Sequence, residues 1–130
     1  MREEIINYCA SVNLGGFIVS NELPFSDSGV ALYLKNPKTV YVDIPQYTSG
    51  ALIRTLDALT INDEITRVRL YFSADAKSLP ANYDTLVSEL KLAKDADTIT
   101  GYARREVDVE SEFTADMLVT QLTFRFTKIT

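Results

Sequence analysis

The feature that most constrains this fold is a strict alternation of side-chain character over residues 65–73. Every second position suits a protein interior, and these positions are Thr66, Val68, Leu70 and Phe72. The positions between them carry polar or amphipathic side chains, which are Arg67, Arg69 and Tyr71. A period of two indicates a β-strand that packs one face on a core and turns the other face to solvent. The chain is therefore predicted to contain a sheet with one covered face.

Two other segments have the period of an amphipathic helix. In residues 2–14, Ile5, Cys9 and Val12 are spaced as neighbours on one helix face, and a Gly-Gly pair follows and ends the element. In residues 80–94 the apolar positions form a similar stripe, and they are Tyr83, Leu86, Val87, Leu90 and Ala93. Each segment is predicted to be a helix whose apolar face packs on the sheet.

Three further segments alternate as strands do. Residues 30–34 and 40–44 are separated by the turn-forming residues 35–38 (KNPK). Pairing the two segments places six apolar side chains on one face, and these are Val30, Leu32, Leu34, Val40, Val42 and Ile44. The pattern predicts an antiparallel hairpin here, with residues 17–19 as a short additional strand.

The C-terminal residues predict a long β-hairpin whose register can be argued. Pairing Val109 with Leu118 places the apolar side chains of both strands on a common face and leaves a four-residue loop at 112–115. A five-residue loop would instead place Asp108 opposite Leu118. The sequence therefore favours the four-residue loop.

Length and composition fit one folded unit. The chain has 130 residues, of which 46% are hydrophobic, and this is enough for one core. We therefore expect a single domain over residues 1–130 of the α+β class. The predicted architecture is a single, mostly antiparallel β-sheet with two helices packed on one face and a long C-terminal β-hairpin.

The connector at residues 45–64 is unusual, because twenty residues without regular structure are rare inside a small domain. It is also apolar, with Leu52, Ile53, Leu56, Leu59 and Ile61. Two interpretations remain open. The helical spacing of Leu52, Leu56 and Leu59 indicates a short helix after Gly50, whereas the amount of apolar surface would favour an extended arm that lies on a neighbouring copy of the chain. The two are compatible, because a short helix on an arm would serve both.

An open sheet exposes the backbone of its edge strands, which invites pairing with other chains. The charges of Arg104 and Arg105, on the first strand of the C-terminal hairpin, would discourage unspecific pairing and allow a specific one. Such charges are equally typical of a solvated strand face. Together with the apolar connector, the edges predict a homo-oligomer, in which Arg104 and Arg105 are candidate interface residues.

Composition excludes several kinds of chemistry. The chain has no histidine and one cysteine, which removes intrachain disulfides, His/Cys metal sites and histidine-based triads. Its net charge of -5 disfavours a nucleic-acid or anionic-membrane surface. The charged N-terminus and the lack of a long apolar run predict a protein made in the cytosol, with Cys9 as a small buried thiol.

The best match to a metal-binding motif begins at Asp95. Asp95, Asp97 and Glu106 occupy the first, third and twelfth positions of a calcium loop, but Ile99 replaces the fifth ligand and Gly101 comes one position late. The residues that follow are predicted to be strand, where the motif requires helix. We therefore predict a non-enzymatic protein without metal, cofactor or catalytic residues.

Three passages carry a resemblance to known proteins, and they are residues 61–72 (INDEITRVRLYF), 79–84 (LPANYD) and 99–107 (ITGYARREV). The predicted order of a helix, several strands, a second helix and a long hairpin is similar as well. On these grounds the chain resembles the tail-terminator and tail-completion proteins of the neck region of long-tailed bacteriophages.

The resemblance implies a virion structural protein that is made in the host cytoplasm and located in the tail or neck. It would form a homohexameric ring on the last ring of the tail tube protein, stop polymerisation and offer a surface to the neck and connector proteins. Genomic DNA would pass through the channel without specific binding, which an acidic protein allows. The subunit-bridging loop of the family would correspond to residues 45–64, with Leu52, Ile53, Arg54 and Leu56 as interface candidates.

Two other functions remain open. The chain could be another neck or head-closure protein, or a small non-viral α+β module that binds a partner protein and stays monomeric at micromolar concentration. An enzyme would have to take its acid–base groups from Asp, Glu, Lys or Tyr alone.

Overall fold

The computed structural model describes residues 1–12, 14–54 and 60–129. Within these residues the chain has an α+β fold with one mixed six-stranded sheet and a C-terminal hairpin, which confirms the predicted fold class. The helices are α1 (Arg2–Ser11), α2 (Leu32–Lys35) and α3 (Tyr83–Lys91), and α3 continues into a 3-10 turn over Leu92–Asp95. The strands are β1 (Ile18–Val19), β2 (Thr39–Val42), β3 (Gln46–Arg54), β4 (Thr60–Asp75), β5 (Arg104–Thr114) and β6 (Met117–Ile129).

Strand β4 organises the sheet, because β2, β3 and β6 all pair with it. On one side it pairs with β6 from Asp63 to Asp75. On the other side β3 pairs with its first half and β2 with its second half, and the register shifts by one residue between the Val42–Leu70 pair and the Gln46–Arg67 pair. The strand order β1-β2-β4-β6-β5 completes the sheet, with β1 parallel to β2.

The core lies on one face of this sheet. The alternation predicted for residues 65–73 is confirmed on that face, where Thr66, Val68, Leu70 and Phe72 are all buried. Both long helices contribute to the same hydrophobic cluster, α1 through Ile5 and Cys9 and α3 through Leu86 and Leu90. The predicted apolar stripes are thus what attach the helices to the sheet.

A polar contact fixes α3 against β6 inside this core. The hydroxyl of Tyr83 and the hydroxyl of Thr120 form a buried hydrogen bond, and Ser111 reaches the same Thr120 oxygen at 3.0 Å. Burial raises the pKa of the Tyr83 phenol, and its hydrogen bond with Thr120 partly opposes that rise. Pairing the buried polar groups explains why a threonine is tolerated among apolar neighbours on β6.

The hairpin predicted from residues 30–34 and 40–44 is wrong. Residues 32–35 form the short helix α2, and the β2 strand, which is buried at every position, lies between β1 and β4. Two backbone hydrogen bonds hold the earlier segment in its turn, from Leu32 to the carbonyl of Pro24 and from Asn36 to the carbonyl of Leu32. A strand in the interior of a sheet needs partners on both sides, and for β2 these are β1 and β4 rather than the adjacent segment 30–34.

The register of the C-terminal hairpin also differs from the prediction. Val109 pairs with Leu122 rather than Leu118, and the strands continue until Thr114 meets Met117. The loop therefore has two central residues, Ala115 and Asp116, both with positive φ (49° and 64°). Such a turn matches the right-handed twist of paired strands, so it extends the ladder further than the four-residue loop would. A shift by four residues keeps every side chain on its face, which is why alternation alone did not detect it.

The turn gives a prediction about stability. Alanine at position 115 has a φ of 49°, a conformation that costs an L-residue about 1 kcal/mol and glycine almost nothing. Ala115→Gly is expected to raise the free energy of unfolding by about 0.5–1 kcal/mol in urea denaturation. The control is Ala10→Gly on the exposed side of α1, which is expected to lower stability by a similar amount. A loss of stability in the Ala115 variant would contradict the left-handed turn.

Candidate assembly surfaces

The β3–β4 hairpin extends beyond the end of the sheet. In chain order, Asp63 is the first residue of β4 that pairs with β6, and its partner is Ile129. Beyond this point β3 and β4 continue to pair with each other through Ile53–Ile61 and Arg54–Thr60. Among the described residues, 51–54 and 60–62 thus have sheet partners only within the hairpin, and we call these two segments the arm.

The described part of the connector tests the helix interpretation only over residues 50–54, because Leu56 and Leu59 lie outside the described residues. Residues 50–54 lie in strand β3, so the short helix after Gly50 is wrong for this part of the chain. Ile53 and Arg54 pair with β4, and Leu52 lies at the register shift between Ala51 and Ile53. Leu56 lies outside the described residues. The arm is extended, and its docking on a neighbouring copy stays a prediction.

The other two candidate interface residues open strand β5. Arg104 is exposed, whereas Arg105 is half-buried and its guanidinium donates a hydrogen bond of 3.4 Å to the carbonyl of Lys94 at the end of the 3-10 turn. Arg105 therefore ties β5 to the helical layer of its own subunit. Arg104 stands in the sheet row of Thr127 and Ile65, at the same end of the sheet as the arm but about 10 Å from β4, so the two do not form one patch.

Strand β5 forms one edge of the sheet over eleven residues. In the part of the chain that the structure describes, no strand pairs with its outer side. One of its faces carries a row of acids, Glu106, Asp108, Glu110 and Glu112. Of these, Glu106 forms an ion pair with Arg125 of β6. The charges make this edge unattractive to uncontrolled strand pairing, as expected for a long exposed edge.

Exposed apolar side chains are found close to the base of the arm. Ile44, Tyr47 and Ile129 are all largely exposed, and Tyr47 is exposed by 73%. Ile129 pairs with the first residue of β4 beyond the arm, and Tyr47 lies at the start of β3. Tyr47 shares a row with Thr66 on the helix-covered face, whereas Ile129 shares a row with Asp63 on the opposite face, so the two do not form one patch. Single exposed apolar residues of this kind are common on protein surfaces.

The described cysteine and carboxylate side chains do not form a candidate metal site. Among the residues that the structure describes, no cluster of three or more Cys, Asp or Glu side chains could hold a metal ion. Glu106, the twelfth position of the calcium-like motif, is instead bound to Arg125. No helix in the described ranges is long and apolar enough to cross a membrane.

The single cysteine is a packing residue. Cys9 is 0% exposed on the apolar face of α1, and burial raises the pKa of its thiol to about 12. At neutral pH the side chain is therefore a neutral thiol and not a nucleophilic thiolate. The interpretation of Cys9 as a small buried residue is confirmed.

An aromatic cluster on the second face of the sheet was missed by the sequence prediction. Tyr33 of α2 stacks on Tyr71 of β4 at 4.9 Å, and the ring of Phe25 packs edge-on against both. The cluster explains why Tyr71, predicted to be exposed, is in fact buried. Because residues 30–34 alternate like a strand, their pattern gave no signal that Tyr33 covers the sheet from a separate helix.

Two comparisons with known proteins found no match. No protein-family model matches the chain, and no curated protein matches it. The function of the chain must therefore be inferred from the resemblance of the three passages and from the surfaces described above.

Proposed function

We propose that this chain is a structural protein of a bacteriophage virion that caps the end of the tail tube as a homo-oligomeric ring. The observation that carries the proposal is the β3–β4 arm, whose backbone pairs only within the hairpin beyond the Asp63–Ile129 pair. Its sequence contains Leu52 and Ile53, which water solvates poorly. A second copy of the chain is the partner that would cover it.

The positions of the arm and of β5 are compatible with a closed ring. The arm begins on the β3 side of β4, whereas β5 is on the opposite side of the sheet, beyond β6. A contact between two different surfaces of identical subunits is heterologous, and it closes into a ring when the rotation between neighbours fits. An arm on one side and an open edge on the other provide such a pair of surfaces. The sixfold stoichiometry comes from the resemblance.

The charge of the chain agrees with a position around a DNA channel. A net charge of -5 gives little attraction for phosphates, so genomic DNA would slide through the ring without being retained. The proposed partners are the tail tube protein on one face and the neck or connector proteins on the other. The protein would be synthesised in the host cytoplasm and found in the tail or neck of the particle.

Gene inactivation in the phage that encodes this chain tests the proposal. Without a cap, the tube is expected to polymerise past its normal length, and heads are expected to lack attached tails. Electron microscopy of the lysate measures tube length and head attachment, with the gene supplied in trans as the control. Particles of normal length and full infectivity would overturn the proposal. A defect in head attachment with tubes of normal length would indicate the alternative role in head closure.

A further inference from the structure

A cleft of about 380 Å³ lies on the sheet face opposite the two long helices. The strand register places its side chains in two adjacent rows. Tyr71, Gln121 and Glu110 form one row across β4, β6 and β5, and Val119 with Glu112 continues the next row. Helix α2 lies above the β4 side of these rows, so Tyr33 and Tyr71 form one wall and the β5 glutamates form the other.

The aromatic wall is held in place from several directions. The rings of Tyr33 and Tyr71 are nearly parallel, at 14°, and Phe25 packs against them at 5.6 and 5.7 Å. The hydroxyl of Ser73 on β4 donates a hydrogen bond to the Tyr33 carbonyl, which fixes α2 on the sheet. A wall of this kind changes little when a ligand binds, so little ordering entropy is lost.

The acidic wall has no cation of its own. Within the described ranges, the carboxylates of Glu110 and Glu112 form no ion pair or hydrogen bond, whereas the Glu106 carboxylate on the same face is paired with Arg125. Successive residues on one face of a strand are about 7 Å apart, so both carboxylates reach the same cleft. Burial raises the pKa of Tyr33 and the charge of Glu112 adds to that rise, in agreement with their positions on facing walls.

The charged groups of the neighbouring row do not neutralise the cleft. Arg69 of β4 is one row away, and it shares that row with Thr123 and with Asp108 of β5. The charge of Arg69 acts on the Tyr71 hydroxyl and lowers its pKa, opposite to the larger effect of burial. The Arg69 side chain also forms a hydrogen bond with the Tyr71 hydroxyl, and the charge of Asp43 raises the pKa of the same hydroxyl. These groups act on the wall from its β4 side, whereas Glu110 and Glu112 line the cleft from β5.

We propose that this cleft binds the side chain of an arginine presented by a partner protein. A guanidinium is flat enough to lie against a tyrosine ring while its N–H groups donate to carboxylates, and this combination distinguishes it from the ammonium group of lysine. A calcium ion would need six to eight oxygen ligands, more than two carboxylates and one amide supply. The inference concerns a different face from the arm and does not depend on the proposed ring.

A peptide titration followed by NMR tests this site in the full chain. The probe is acetyl-Gly-Arg-Gly-amide, and its matched controls contain lysine or the uncharged isostere citrulline instead of arginine. Amide shifts are expected at Tyr33, Tyr71, Glu110, Glu112 and Gln121 with the arginine peptide and not with the citrulline peptide. Equal binding of the lysine peptide would overturn the assignment to a guanidinium, and the absence of shifts in the cleft would overturn the site.

Variants of exposed residues localise the binding without disturbing the fold. The double variant E110Q/E112Q is expected to weaken arginine-peptide binding about fivefold, because two carboxylate contacts are lost. Asp108→Asn, on the same strand and face but outside the cleft, is the matched control and is expected to change the affinity less than twofold. If both variants lose affinity equally, the attraction is general to the acidic strand and the cleft is not the site.

Discussion

Replacement of Phe72 by alanine is expected to lower the free energy of unfolding by about 3–5 kcal/mol. The ring is 0% exposed on β4 and packs edge-on against Phe17 at 5.8 Å and tilted against Tyr83 at 5.7 Å. Its removal leaves a cavity where the sheet, α3 and the segment before β1 meet, and close-packed neighbours fill such a space only in part. Natural domains are stable by about 5–15 kcal/mol, so this one change is a large fraction of the total.

The chain offers a matched control for this substitution. Phe113→Ala removes the same atoms from β5, where the ring is 73% exposed, and is expected to change stability by less than about 0.5 kcal/mol. Urea denaturation followed by circular dichroism gives both values, and an unchanged slope shows that the unfolded states are comparable. Equal losses for the two variants would contradict the assignment of the core to the helix-covered face.

Replacement of Leu56 by aspartate is expected to abolish ring assembly while the subunit remains folded. Leu56 belongs to the connector between β3 and β4, and the proposed ring depends on apolar residues of this connector contacting the next copy. Placing a carboxylate in an apolar contact costs several kcal/mol per subunit, which is enough to remove measurable association. The measurement is the population of rings in electron micrographs of tubes mixed with the variant.

A second leucine separates the effect of the arm from a general effect of charge. Leu79→Asp changes an exposed leucine that follows the far end of β4, and rings are expected to form normally with it. Circular dichroism of both variants checks that the fold is retained. Unfolding of the Leu56 variant would instead show that this side chain belongs to the core of its own subunit, and the proposal for the arm would lose its basis.

The sequence predicted those elements whose signal is local. The alternation of residues 65–73 and the helical stripe from Tyr83 to Ala93 indicate which side chains are buried, because each element contacts the core along one face. For this reason β4 and α3 were recognised and their inward residues assigned correctly. The fold class followed from these elements and from the C-terminal strands.

The remaining features depend on contacts that are distant in sequence. Strand β2 is a central strand because β1 and β4 pair with its two sides. The pattern of residues 40–44 does not identify which strands these partners are. The hairpin register was decided by the backbone conformation of Ala115, which a side-chain pattern does not encode. For the connector, the spacing of Leu52, Leu56 and Leu59 indicated a helix, whereas the pairing of β3 with β4 makes residues 50–54 a strand.

The cleft of the second face was also beyond sequence reasoning. Its walls come from α2 and β5, which are about 80 residues apart in the chain and meet only because the sheet places β4, β6 and β5 side by side. Glu110 and Glu112 looked like solvated acids, which their exposure bears out. What gives them a further role is the stacked tyrosine pair opposite, and this arrangement exists only in three dimensions.

Strand β4 has a mechanical consequence. Its sixteen residues form one element of about 50 Å that begins in the arm, passes through the core at Phe72 and ends at the exposed Asp75. The residues of the arm and those of the core on β4 therefore belong to the same strand, which is paired with β6 from Asp63 onwards. If the arm docks on a neighbouring copy in a ring, the orientation of that neighbour would be fixed relative to the core of the subunit that carries the arm.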